Sequence, residues 1–477
     1  MGAYTNRAVA RTSRTRPLIQ RALENALLAA FAYIPLLATK PGVLADDTKQ
    51  YLYLDPGRLL SSAISMWDPS VAAGTVTHQN IGYLFPQGPF YWVFAQIGVP
   101  MWVSQRLWMG SLLFAAATGV RYLARTLGVD GPGAVVAGLA YALSPYFLQY
   151  IQQTSAILLP WSGLGWLVAF AVLAVRRGGW RYPALFALVV ALVGATNATS
   201  LIYAGIAPVA WLFYAVLVLR EVPARRAFSA GMKMGVLSLG VSLFWIAGLR
   251  VESAYGVNIL KYTETLPAIA GTSLASEVVR GLGYWYFYGS DRIGPWKQAA
   301  VRLEESAWLL STSFAVPVLG ALGAVVSRWR VRAFFVLLIL LGVVLAVGMH
   351  PYPDPSVVGR MLKAFMSGSS VGLALRSSDR ATPLVLLGFA VLLGAGATAL
   401  WARFPRIGLG TACALAAVVV ANSAPFLEGG AVAQNFERPE NVPSYYAKAA
   451  NYLDGKGDST RVLDVYKRQP KRSTTFR

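Results

Sequence analysis

Long apolar runs separated by short polar turns dominate the chain. A helix that crosses a bilayer needs about 20 mainly apolar residues, because the hydrocarbon core is about 30 Å thick and each residue advances a helix about 1.5 Å. Eleven stretches fit, near residues 22 to 38, 103 to 120, 133 to 147, 157 to 175, 182 to 195, 200 to 219, 234 to 250, 307 to 326, 333 to 349, 383 to 401 and 407 to 424. The pattern predicts an all-α polytopic membrane protein with about 11 transmembrane helices. Three long stretches fall between spans, at 39 to 102, 251 to 306 and 350 to 382.

Basic residues give the direction, since Lys and Arg of short loops are retained on the cytoplasmic side. With the N-terminus inside, the inner segments carry Arg7 to Arg21, Arg121 and Arg125, Arg176 to Arg181, Arg220 to Lys233, Arg328 to Arg332, and Arg403 with Arg406. The short outer turns, Pro145 to Ser155 and Thr196 to Ser200, carry no Lys or Arg. This orientation makes all three long loops external and places the segment after Phe426 outside. The apolar run Ala26 to Leu37 lacks a small-residue cleavage site and is followed by Lys40 and Pro41, so it reads as an uncleaved first span.

Composition sharpens this picture. Of 477 residues, 56% are hydrophobic and 13% charged, against about 25% charged in soluble domains. Mean hydropathy is +0.51, which excludes an ordinary soluble enzyme. The net charge of +21, from 42 Lys+Arg and 21 Asp+Glu, would suggest a nucleic-acid partner in a soluble protein; here much of it orients helices. One cysteine, Cys413, and two histidines, His78 and His350, exclude a disulfide framework and disfavour a thiolate or His-rich metal centre. No Walker or dinucleotide loop is present.

The polar chemistry is in the long loops. Asp46 and Asp47 lie within about ten residues of the first span, and carboxylates near a bilayer are costly unless hydrated, paired or used. Adjacent side chains of an extended segment point to opposite sides, so one of the two suffices to face a cleft. A carboxylate there suits a transferase with a lipid-linked sugar donor: it takes the proton of an acceptor hydroxyl as the lipid phosphate leaves. A surface acidic pair or helix cap is the plainer reading. The departing phosphate calls for cations. Arg376 and Arg380 precede a span at lipid-phosphate depth, where snorkelling arginines also anchor helices; Lys49 and Arg58 are second choices. Glu304 and Glu305 read as an interfacial cap, and His78 and His350 as structural. The aromatic run Tyr284 to Tyr288 and the rings of the first loop suit either an interfacial belt or a platform over a sugar.

Ordered motifs add a resemblance. Asp47-Thr48-Lys49, Trp67, Gln79-Asn80-Ile81-Gly82-Tyr83-Leu84-Phe85-Pro86, Gln105-Arg106-Leu107-Trp108, Ala142-Leu143-Ser144-Pro145 and Gly194-Ala195-Thr196-Asn197-Ala198 together resemble the N-terminal membrane part of the actinobacterial alpha-(1→3)-arabinofuranosyltransferase D family. That family belongs to the GT-C superfamily of polyprenyl-phosphate-sugar-dependent glycosyltransferases. The resemblance implies a GT-C-like bundle that moves arabinofuranose from decaprenylphosphoryl-arabinofuranose to the arabinan of cell-wall arabinogalactan and lipoarabinomannan. The transfer would make an alpha-(1→3) linkage with inversion, on the external face of the inner membrane. It implies Asp47 as catalytic base, with Asp46 completing the acidic pair; the candidate substrate contacts are Lys49, Gln79, Asn80 and Tyr83 in these motifs, and Arg376 and Arg380 by their position before a span. The implied partners are the polyprenyl-phosphate sugar donor, the arabinan acceptor and the membrane, without nucleic acid. No cofactor is assigned, and a divalent cation (Mg, Mn or Ca) on the acidic pair stays open, because two carboxylates make a weak site.

The implied division is a GT-C-like transmembrane domain over 1 to 424 and the start of an external C-terminal region over 425 to 477. Members of the family continue into a large external part with carbohydrate-binding modules. The last 13 or so residues read as a non-native junction. Two other functions fit the same topology. A lipid-linked-sugar transporter or flippase would be expected to hold polar groups at mid-membrane on repeated, broken helices, and these spans are nearly free of charge at their centres. A GT-C mannosyltransferase with another sugar differs from arabinose transfer only through the resemblance.

Overall fold

A computed structural model describes residues 18–69, 74–151, 153–426 and 437–456; the tail read as a junction lies outside them. All eleven predicted spans fall on helices: α1 (Leu18–Leu37), α2 (Met101–Thr126), α3 (Pro132–Ala142) with α4 (Pro145–Ile151), α5 (Ser155–Arg177), α6 (Arg181–Val193), α7 (Ala198–Leu217), α8 (Ala224–Tyr255), α9 (Ala307–Val326), α10 (Arg332–Val347), α11 (Thr382–Arg403) and α12 (Pro405–Asn422). The fold is an all-α polytopic membrane bundle. Seven helices are long and apolar enough to cross a bilayer by themselves, and α3 with α4 makes an eighth, bent by 50°; α6 and α10 are apolar but short. With α6 and α10 these make ten; α1, the expected first span, has 20 residues but is not among the helices apolar enough by the same measure, so a count of eleven crossings is not established among the described residues. The predicted outer turn beginning at Pro145 is in fact the helix α4. Pro lacks an N–H and pre-sets the first helical turn, so the same residue that ends one helix opens the next.

The core is built from α2, α3, α5 and α11. α5 is buried along most of its length and packs on α2, α6 and α7, while α3 and α11 pack together. Small residues bring these backbones close. A Cβ at Gly165 would sit 2.5 Å from the Gly119 carbonyl carbon, and one at Gly133 would sit 2.2 Å from the Gly394 oxygen; in lipid, such contacts replace the hydrophobic drive that holds soluble helices together. α8 and α12 instead expose apolar side chains, among them Leu239, Leu243 and Ile407, as surfaces that meet hydrocarbon.

The two ends of the bundle differ. At one end the arginines named above pair or bind carbonyls: Arg121 and Arg125 meet Glu24, Arg176 meets Glu221, Arg226 donates to the Arg176 oxygen and Arg330 to the Leu219 oxygen. At the other end the three long loops interlock. His78 pairs with Glu252, Lys297 donates to the Gln149 oxygen at 2.8 Å, Arg376 pairs with Glu264 at 3.2 Å, and the Tyr203 hydroxyl donates to the Leu375 oxygen at 2.7 Å. Strand is scarce: β1 (Val43–Ala45), β2 (Trp67–Asp68), β3 (Thr75–Val76) and β4 (Glu437–Pro439) form two antiparallel pairs, β1 with β4 and β2 with β3. Through the first pair, with Glu440 accepting from the Met101 and Trp102 amides, the segment beyond α12 returns to the first loop.

Candidate active site

The site grows from β1. Gln105 of α2 grips Ala45 with both ends of its amide, accepting from the Ala45 N–H and donating to the Ala45 oxygen, each at 2.8 Å. Arg106 donates to Gln105 at 2.8 Å and to the Val43 oxygen at 2.9 Å. Both side chains are fully buried. The Gln105-Arg106 motif thus fixes the strand that delivers Asp47.

Asp47 is 4% exposed. Its Oδ1 accepts from the Ser155 amide and its Oδ2 from the Ser155 hydroxyl, each at 2.5 Å, and Oδ2 also accepts from the Tyr53 hydroxyl at 3.0 Å. Its backbone oxygen accepts from the Thr154 amide at 3.0 Å. The carboxylate therefore sits on the N-terminus of α5, where free N–H groups and the helix dipole favour negative charge. Trp108 steadies Ser155 by donating to its hydroxyl at 3.1 Å. Burial nevertheless pushes the Asp47 carboxyl up to about 6, against the downward pull of Ser155, Tyr53 and the Lys297 charge.

Lys297 is the cation that faces it. The side chain is 1% exposed, its ammonium lies 5.5 Å from the Tyr286 ring centre, and burial pushes it down to about 7 while the Asp47 charge pulls it up. Lys297 binds α4 at Gln149, and one residue on, Tyr150 is a neighbour of Arg380, together with Tyr284 and Glu264. Two cations thus bracket one turn of α4. Around that turn lie buried polar atoms without a hydrogen-bond partner: both amide atoms of Gln149, the hydroxyls of Tyr146 and Tyr150, Gln153 Oε1 and Arg380 Nε. Such groups are costly unless a ligand or water meets them. The aromatic run packs inward on the same helix, with Tyr284 and Phe287 at 5.0 and 5.2 Å from the Tyr150 ring, so those two rings are not part of an interfacial belt.

The other sequence candidates take distinct places. Asp46 turns away from Asp47, accepting from Gln50 at 2.9 Å and from Arg438 at 3.1 Å. The two carboxylates are committed to different partners, and among the described residues no three His, Cys, Asp or Glu side chains converge; this donor set does not fit a shared divalent cation, and we assign none. Lys49 donates to Asn80 Oδ1 at 2.7 Å and to the His78 oxygen, lies 5.9 Å from the Tyr83 ring centre, and is pushed by burial down to about 8. Gln79 adopts a left-handed backbone (φ 56°), with its amide donating to Glu252 at 3.1 Å. Tyr83 is buried beside Thr48 and Asp47. Gly82 meets the Ala195 oxygen so closely that a Cβ would sit 2.4 Å away, which brings the first-loop run against the Gly194 to Ala198 turn. Arg376 is spent on Glu264, while His350 Nδ1 donates to the Ala270 oxygen at 2.8 Å. Lys297, Ser155 and Tyr53 were not foreseen. The signal for Lys297 was its position next to Trp296, shortly after the aromatic run.

A profile of the family "alpha-(1->3)-arabinofuranosyltransferase, N-terminal GT-C domain" matches residues 31–469. The alpha-(1->3)-arabinofuranosyltransferase of Mycobacterium tuberculosis is 29% identical over 90% of this chain and 31% of its own length. That of Mycolicibacterium smegmatis is 28% identical over 80% of this chain and 26% of its own. The chain thus spans less than a third of these relatives. The cryo-EM structure of arabinofuranosyltransferase AftD from mycobacteria superposes with a TM-score of 0.68 over 91% of this chain and 28% of that one, at 24% identity, a likeness of fold. The chain belongs to the family of N-terminal GT-C domains of alpha-(1->3)-arabinofuranosyltransferases.

Proposed function

We propose that the chain carries the catalytic site of a membrane arabinofuranosyltransferase, with Asp47 as general base. The observation that supports this most is the placement of one buried carboxylate on the N-terminus of a membrane helix, beside a buried lysine that reaches a turn of α4 with unpartnered polar atoms. In this reading the donor is decaprenylphosphoryl-arabinofuranose and the acceptor an arabinan hydroxyl. The acceptor oxygen attacks the anomeric carbon, the bond from that carbon to the phosphate oxygen breaks with its electron pair, and the acceptor proton passes to Asp47. Attack opposite the leaving phosphate inverts the anomeric centre and gives an alpha-(1→3) linkage. Lys297 and Arg380, which flank the same turn of α4, neutralise the phosphate as it departs. The loop end faces outward across the plasma membrane, with the arginine-rich end in the cytoplasm.

Asp47→Asn keeps size and loses the base. Turnover with a synthetic arabinan acceptor is expected to fall about 10²- to 10⁴-fold, the range contributed by a positioned proton acceptor. Full activity in that variant overturns the assignment. NMR of the product, showing an alpha linkage from a beta-linked donor, checks the inversion.

A further inference from the structure

A cavity of about 560 Å³ opens at the loop end, between the first long loop and the end of α8, and Asp47 does not line it. Its volume is within the roughly 300–1,000 Å³ of small-molecule sites. The walls carry Lys49, Tyr51, Asp55, Arg58, Asp68, Thr77 and Glu252.

Charge decides what such a cavity can hold. Lys49 and Arg58 face the three carboxylates of Asp55, Asp68 and Glu252, so an anion finds no net attraction. Three of these charges are also engaged within the protein: Lys49 on Asn80 and the His78 oxygen, Glu252 on His78 and the Gln79 amide, Asp55 on the Arg58 backbone amide at 2.8 Å. A neutral ligand whose hydroxyls both donate and accept fits this mixed lining. Thr77 Oγ1, buried in the wall, has no hydrogen-bond partner. The Tyr51 ring, 39% exposed, is held by its hydroxyl donating to Asn80 Oδ1 at 2.7 Å, which leaves an apolar face for the C–H side of a sugar.

Position links the cavity to the reacting centre. Lys49 follows Asp47 by two residues, a backbone reach of at most about 7 Å. Tyr83, its ring centre 5.9 Å from the Lys49 ammonium, is also a neighbour of Asp47 and Thr48. We propose that this cavity is a binding subsite for a neutral glycan, the acceptor chain, holding sugar units next to the one whose hydroxyl meets Asp47. The inference rests on the transferase reading for the identity of the glycan.

The test uses the full chain in lipid nanodiscs with a synthetic alpha-linked arabinofuranosyl hexasaccharide as probe. Arg58→Ala removes an exposed donor, and Ser62→Trp fills the cavity from another exposed wall position. Each is expected to raise the acceptor KM and weaken donor-free binding of the hexasaccharide about tenfold, the effect of one lost polar contact, with kcat and donor KM within twofold. Asp47→Asn is expected to bind the hexasaccharide like the unaltered chain while losing turnover. The subsite is overturned if both cavity variants leave hexasaccharide binding within twofold, or if they raise the donor KM instead, which would make it a lipid-phosphate site. Should the unaltered chain bind the hexasaccharide through this cavity yet never extend it, the subsite stands and the transferase reading falls.

Discussion

Asp47 carries two opposed demands. The α5 N-terminus favours its charge, and burial opposes it; burial wins, so the group is poised near 6 rather than near its ordinary 3.8. A base must be ionised, so kcat/KM is expected to fall as pH drops below about 6. Lys297, held near 7, gives the opposite limb as its ammonium is lost, and because the two charges face each other the limbs belong to the pair. Lys297→Met removes the cation that holds Asp47 down, so the acid limb is expected to move upward by about one unit, as read from the pH profile; a merely structural loss would lower the profile without moving it. Asp47 was legible in the sequence because a carboxylate beside a span needs a reason. Its partners were not, since Ser155 and Lys297 come from segments more than a hundred residues away and nothing local marks them. Asp46 and Asp47 read as a pair, yet the extended backbone sends them to Arg438 and Ser155 respectively.

At the scale of the element, each helix near the site does a second task besides filling the bundle. α2 offers Gln105 and Arg106 to β1, and α5 offers its first amide to Asp47. Their mutual distance is set where Gly165 of α5 crosses Gly119 of α2, since a Cβ at Gly165 would lie 2.5 Å from backbone. Gly165→Val is expected to cost about 1–3 kcal/mol, as overpacking does, and to reduce turnover by misaligning β1 against Ser155; thermal melting in detergent and the acceptor assay measure the two effects. Helix existence was plain from the apolar runs. The bend between α3 and α4 was not, because hydropathy reports how apolar a run is and not where its axis turns. The inward packing of Tyr284 and Phe287 was hidden for a similar reason: an aromatic ring suits a membrane interface and a protein core equally well.

Across the whole molecule, chemistry is segregated by end. One end is stitched by arginines to carboxylates and helix carbonyls; the other joins three loops through Glu252, Glu264 and Lys297. This polarity was readable from the basic clusters, whereas the interlocking of the loops was not, because its contacts have no sequence period. The proposed orientation is open to direct reading. In a Cys413→Ser background, single cysteines at the exposed positions Ser61, in the first loop, and Ser229, near the start of α8, are expected to differ: a membrane-impermeant maleimide applied to spheroplasts labels the first and spares the second. The reverse pattern would turn the protein over.

Because Asp47 is fastened to the first residues of α5 by side chain and backbone alike, and its strand to α2 through Gln105, the proposed base is placed by the relative position of these two helices. α5 in turn answers to the lipid around the bundle: hydrocarbon that is too thin or too thick for a helix is accommodated by tilt, at a fraction of a kcal/mol per Å. Tilt of α5 would carry Ser155, and with it the carboxylate, relative to Lys297, which the second long loop holds against α4 at Gln149. Acyl-chain length thus becomes a tuning parameter of the reaction, and turnover in nanodiscs of graded lipid length is expected to pass through a maximum while the fold, judged by helical content, stays unchanged.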